Sequence, residues 1–81
     1  MDYPIDFENY NTEEIIDIID FLSLIEAMNA SFDERKISLL KDKHKRYLSI
    51  LNNQSEAKRI DKAFQAQTGI SIYKFMKNIT D

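Results

Sequence analysis

A single glycine and a single proline interrupt 81 residues, and that scarcity constrains the fold more than any other feature of the chain. Sheets joined by tight turns need glycine or proline at many positions, whereas helix interiors exclude both. The expected fold is therefore all-α with few connections. One core usually takes about 100 to 150 residues, so residues 1–81 are expected to form a single helical domain. Cysteine is absent, which removes disulfides as a means of stabilising so small a core. Hydrophobic residues make up 43% of the chain and charged residues 31%, a mixture that supports a folded core rather than a disordered chain.

Apolar residues spaced three and four apart predict a compact array of about four helices, at roughly 12–28, 32–51, 54–67 and 72–79. Residues 1–11 lack that period, and Pro4 favours extended geometry at Tyr3, so they read as an extended arm with Tyr3, Ile5, Phe7 and Tyr10 available for packing. Asn11 with Glu14, Ser31 with Glu34 and Asn53 with Glu56 are spaced as capping boxes for the first three helices, with Thr12 a competing N-cap for the first. Ser71 is placed to cap the fourth, and Gly69 to end the third in left-handed geometry. The expected core stripe of the first helix is Ile15, Ile18, Ile19, Leu22 and Ile25. In the second it is Ile37, Leu40, His44, Tyr47, Leu48 and Leu51. Ala57, Ile60, Ala63 and Phe64 should face inward from the third, and Ile72, Phe75, Met76 and Ile79 from the fourth.

Charge is sharply segregated. Residues 1–34 carry ten acids and no base, while residues 35–81 carry all eleven bases against four acids, so −10 and +7 combine to the net −3. If the first two helices form an antiparallel hairpin turning near residues 29–32, Asp17 lies beside Arg46, Asp20 beside Lys43 and Leu24 beside Leu39. Such pairing favours mutual neutralisation over a free basic surface.

The chemistry-bearing residues are few. No glycine-rich phosphate loop or cysteine nucleophile is present, and the one histidine has no spaced partner for a triad or a metal. Glu13, Asp17 and Asp20 share a helix face, but a metal centre would need ligands from facing helices. A solvated or salt-bridged face is the favoured reading. His44 lies within the apolar strip of the second helix, where a packed ring is favoured over a pH switch. No catalytic, cofactor-binding or metal residue is assigned, and the chain is not expected to be an enzyme.

The first helix carries more apolar surface than one neighbour can cover. This marks Phe21, Leu24 and Met28, together with Tyr73, as a candidate contact surface for an unidentified protein partner or for a second copy in a homodimer. Coverage by the arm and the fourth helix is the structural alternative. Another functional reading is nucleic-acid binding through the basic face of the second helix, using Arg35, Lys36, Lys43, Lys45 and Arg46. No uncharged run approaches the ~18 residues of a membrane span, and no base precedes Arg35, so a cytoplasmic protein is expected.

Tyr3-Pro4-Ile5-Asp6, then Tyr10 and Thr12-Glu13-Glu14-Ile15, resemble the opening of the YktA-like proteins, uncharacterised protein family 0223 of low-GC Gram-positive bacteria. Ser55-Glu56-Ala57-Lys58-Arg59, Phe64 and Thr68-Gly69-Ile70-Ser71-Ile72-Tyr73-Lys74 resemble its later blocks. The similarity therefore spans nearly the whole chain. It departs at Tyr10, where the family usually has Trp, at His44 and Tyr47 in an otherwise aromatic pair, and at Asn52-Asn53, where a Pro-Ser step is usual. The resemblance implies a small all-α fold, with no assigned role and no catalytic residues to carry over.

Overall fold

The computed structural model describes residue 8 and residues 10–80. Four α-helices follow one another: α1 (Thr12–Ala30), α2 (Ile37–Ile50), α3 (Gln54–Thr68) and α4 (Ile72–Thr80), with a 3₁₀ turn at Glu34–Lys36 leading into α2. The expected all-α array is what forms, and no strand occurs among the described residues. Most of the expected arm, including Tyr3, Ile5 and Phe7, lies outside the described residues. Tyr10 is described, and it packs against the core.

The start of α1 follows the sequence closely. Asn11 Oδ1 accepts from the Glu14 backbone N–H at 2.8 Å, while Glu14 Oε1 accepts from the Asn11 N–H at 3.0 Å, so two orphan donors are satisfied reciprocally. The other two expected boxes do not form. α1 runs on to Ala30, with the Ser31 N–H donating to the Ala27 carbonyl, so Ser31 ends a helix instead of opening one. Asp33 takes over as the cap of the 3₁₀ turn, accepting from the Arg35 N–H at 3.0 Å. Asn53 does cap α3, but through the Ser55 N–H at 2.9 Å. Glu56 turns away to Tyr10 and Arg59.

Gly69 ends α3 at φ 78°, the left-handed geometry expected there. Its N–H donates to the Gln65 carbonyl at 2.7 Å. A Cβ at this position would meet nothing within 4 Å, so the preference for glycine comes from the backbone angle alone.

α1 and α2 pack directly on one another, as do α3 and α4. The hairpin register is the one expected: Arg46 Nε lies 2.8 Å from Asp17 Oδ2, and Lys43 Nζ lies 3.8 Å from Asp20 Oδ2. The side chains of both pairs are partly exposed, so solvent screens them and they fix register more than they stabilise.

The core is built round α1, which supplies Ile18, Phe21, Leu22, Ile25 and Met28. Leu40, Tyr47 and Leu51 join from α2 and its end, Ile60 and Phe64 from α3, and Ile72 and Met76 from α4. Fully burying a side chain of this size contributes roughly 1.5 to 3 kcal/mol. The buried stripe of α1 is rotated relative to the expected one. Ile15 and Ile19 are half-buried, while Phe21 is 0% and Met28 is 2% exposed.

Candidate functional site

Because the stripe on α1 is rotated, the expected contact surface must be corrected. Phe21 stacks on His44, with ring centroids 5.4 Å apart, and meets Tyr47 at 4.7 Å. α2 therefore covers Phe21, and Met28 is buried in the same cluster. Leu24 is half-buried and packs against that cluster. Of the four residues marked as a contact surface, only Tyr73 is exposed, at 69%.

Among the described residues, the large apolar side chains left open are Ile16, Phe32, Leu39, Leu48 and Tyr73, and of these Leu48 and Tyr73 line one hollow. Leu48, placed by its spacing on the core strip of α2, is 50% exposed. With Tyr73 it lines a hollow of about 180 Å³, together with His44, Tyr47, Ala57, Lys58, Asp61 and Ile72. A second hollow, of about 290 Å³, is lined by His44, Tyr73, Met76 and Lys77. His44 and Tyr73 line both, so the two hollows adjoin between α2 and α4, with α3 lining the first, and together they make up a groove.

Each wall of the groove is held by a local cause. Tyr73 is the second residue of α4, and the start of that helix is fixed from α3: Asp61 Oδ1 accepts from the Ile72 N–H at 2.9 Å. Ser71 adds a longer bond, its Oγ accepting from the Lys74 N–H at 3.4 Å. The expected Ser71 cap is thus present, with Asp61 as a nearer partner drawn from another helix. Neighbouring Tyr47 is nearly fully buried. Burial, reinforced by the charge of Asp61, pushes its phenol well above the ordinary range. His44 is half-buried, and burial holds its pKa below 6.5. A neutral ring stacked on Phe21 matches the packed-histidine reading.

The basic residues divide into engaged and open ones. Arg46 is held by Asp17, a contact that raises its pKa. Arg35 pairs with Asp33, and this keeps the Asp33 carboxyl below its usual range. Lys43 lies against Asp20. Three of the five candidate nucleic-acid contacts are therefore drawn onto carboxylates, while Lys36 and Lys45 remain exposed. Arg59 pairs with Glu56, lowering that carboxyl, and Glu56 also accepts from the Tyr10 hydroxyl at 3.1 Å.

Among the described residues no three His, Asp or Glu side chains come together in a group that could hold a metal. No helix there is long and apolar enough to cross a membrane.

The model of the uncharacterised protein family UPF0223 matches residues 1–81. The chain belongs to UPF0223. A UPF0223 protein of Oceanobacillus iheyensis is 40% identical over 76 residues, covering 93% of this chain and 82% of the relative. One from Bacillus cytotoxicus is 32% identical over 79 residues, covering 98% and 85%. One from Streptococcus agalactiae is 32% identical over 75 residues, covering 93% and 77%. No solved structure matches the chain. Membership in UPF0223 assigns no activity to any residue, so the chemistry of the groove has to be read from its own side chains.

Of the groove's lining the sequence singles out Tyr73 as a contact residue, but spacing places Leu48 in the core. Leu48 falls on the same helical strip as Leu51, yet Leu48 is half exposed while Leu51, which ends α2, is buried in the core. Asp61 carries no local signal either, because its partner lies eleven residues onward, across the α3–α4 turn.

Proposed function

We propose that this UPF0223 chain is a non-enzymatic interaction module that docks a protein partner in the groove between α2, α3 and α4. The observation that carries this reading is Leu48 and Tyr73, two large side chains at 50% and 69% exposure, lining one mostly apolar hollow. Adjacent apolar side chains left open on so small a domain are a common mark of a contact surface. An exposed tyrosine provides a rigid, amphipathic anchor of the kind that dominates interface energetics.

Self-association through α1 loses its motive, because Phe21 and Met28 are already buried within one chain. Nucleic-acid binding is the less favoured reading, since Arg35, Lys43 and Arg46 are engaged by Asp33, Asp20 and Asp17.

The test compares partner capture from native cells by the tagged chain, by a Leu48→Ser/Tyr73→Ser variant, and by an Ile16→Ser variant on the outer face of α1. The expected result is loss of the captured protein with the double variant alone, at unchanged melting temperature. Equal capture by all three would remove the groove from the function.

A further inference from the structure

The charge around the groove specifies what kind of partner fits it. On α2, Lys41, Lys45 and Leu48 fall within one narrow arc at about 100° per residue, on the flank that His44 and Leu48 turn towards α3 and α4. Lys58 lines the groove from α3 and Lys77 lines it from α4. Lys41, Lys45 and Lys58 are exposed and carry no ion pair among the described residues. The one carboxylate in the lining, Asp61, is turned onto the Ile72 N–H. The groove thus sets apolar Leu48, Tyr73, Ile72 and Met76 beside Lys58, Lys77 and Asp61 in its lining, with Lys41 and Lys45 on the exposed flank of α2 that carries Leu48. This holds even though the whole chain is net −3.

From this arrangement we infer that the groove receives an acidic amphipathic helix from a partner protein, its apolar side chains seated between Leu48 and Tyr73 and its carboxylates facing Lys41, Lys45 and Lys58. The inference rests on the docking reading above and adds the chemistry of the occupant. A short amphipathic helix presents apolar anchors at three- and four-residue spacing, a form suited to a shallow groove between helices. Lysines beside an apolar centre steer and select an acidic ligand while the centre supplies affinity. A nucleic acid fits less well. Aliphatic Leu48, Ile72 and Met76 offer nothing to a phosphate backbone, and all three arginines of the chain, Arg35, Arg46 and Arg59, are held by carboxylates.

The experiment is fluorescence anisotropy on the full chain with three labelled probes: a designed amphipathic helix of leucine and glutamate, the same helix with lysine replacing glutamate, and a single-stranded oligonucleotide. Amide chemical shifts locate the bound site. The expected result is saturable binding of the glutamate helix with shifts at Leu48 and Tyr73, weakened by added salt. Tyr73→Ser should weaken it by about tenfold or more, and Lys41→Ser/Lys45→Ser/Lys58→Ser should weaken it while flattening its salt dependence. Equal binding of the lysine helix at Leu48 and Tyr73 would overturn the charge assignment while leaving the docking reading intact. Binding of the oligonucleotide alone would overturn both. So would a chain that sediments as a dimer and becomes monomeric on Tyr73→Ser, because a second copy would then fill the groove. If neither helix changes its anisotropy the inference is overturned, and capture by the Leu48→Ser/Tyr73→Ser variant then decides the docking reading separately.

Discussion

α1 and the α2–α4 groove invert what their sequences suggest. α1 is apolar on nearly every side, yet Phe21 and Met28 are sealed inside the chain. α2 and α4 are more polar helices rich in lysine, yet they carry the open Leu48 and Tyr73. The difference lies in which face of each helix the rest of the array covers. α1 turns its bulkiest apolar side chains, Phe21 and Met28, into the core and leaves Glu13, Ile16 and Asp20 exposed on its outer face. A helix at the edge of the array exposes whatever lies just beyond its core strip, and a single leucine or tyrosine there forms a contact surface.

The strongest way to break this comparison is to truncate one residue from each region. Phe21→Ala removes a fully buried ring in contact with His44 and Tyr47, and should cost about 3 to 5 kcal/mol in urea unfolding. Leu48→Ser and Tyr73→Ser should each stay within about 0.5 kcal/mol of the parent. Comparable losses at Phe21 and Tyr73 would mean the two regions are not different in kind.

Asp61→Ala sharpens the groove side of the comparison. It removes the acceptor for the Ile72 N–H at the first turn of α4, and should lower stability by about 1 kcal/mol, as loss of a helix cap does. Thermal melting checks this, and an unchanged midpoint would leave Ser71 as the sufficient cap. Gly69→Ala should also cost about 1 kcal/mol, all of it from the left-handed backbone, because the added Cβ meets no atom.

The smallest effect is a dependence on pH at His44, the residue the two regions share. Burial holds its folded pKa below the 6.5 of the unfolded chain, so the unfolded state takes up the proton first. Stability is then fully present above pH 6.5 and falls as pH drops through the folded pKa. Urea midpoints measured downward from pH 7 should show this decline, and His44→Phe, which keeps a ring against Phe21, should flatten it. A parent and variant with parallel profiles would place the titration elsewhere.

What the sequence makes legible are the features set by neighbours in the chain or by a long periodic pattern. The Asn11–Glu14 box depends on a three-residue spacing, Gly69 on being the one residue free of a Cβ, and the Asp17–Arg46 register on opposed charges along two helices. Asp33 displaced Ser31 because α1 continued for another half turn, which no local pattern fixed. The burial of Phe21, the exposure of Leu48 and the reach of Asp61 to α4 depend on how helices rotate and cross. Those angles come from packing the whole array, and the candidate site is built almost entirely from them.

Hydroxyl-radical footprinting of the free chain and of its captured complex tests most directly where the interior ends and the docking face begins. The predicted result is rapid modification of Leu48 and Tyr73 in the free chain, their protection in the complex, and protection of Phe21 and Met28 in both states. Modification of Phe21 and Met28 in the free chain, lost only when the partner binds, would contradict it and place the contact surface on α1.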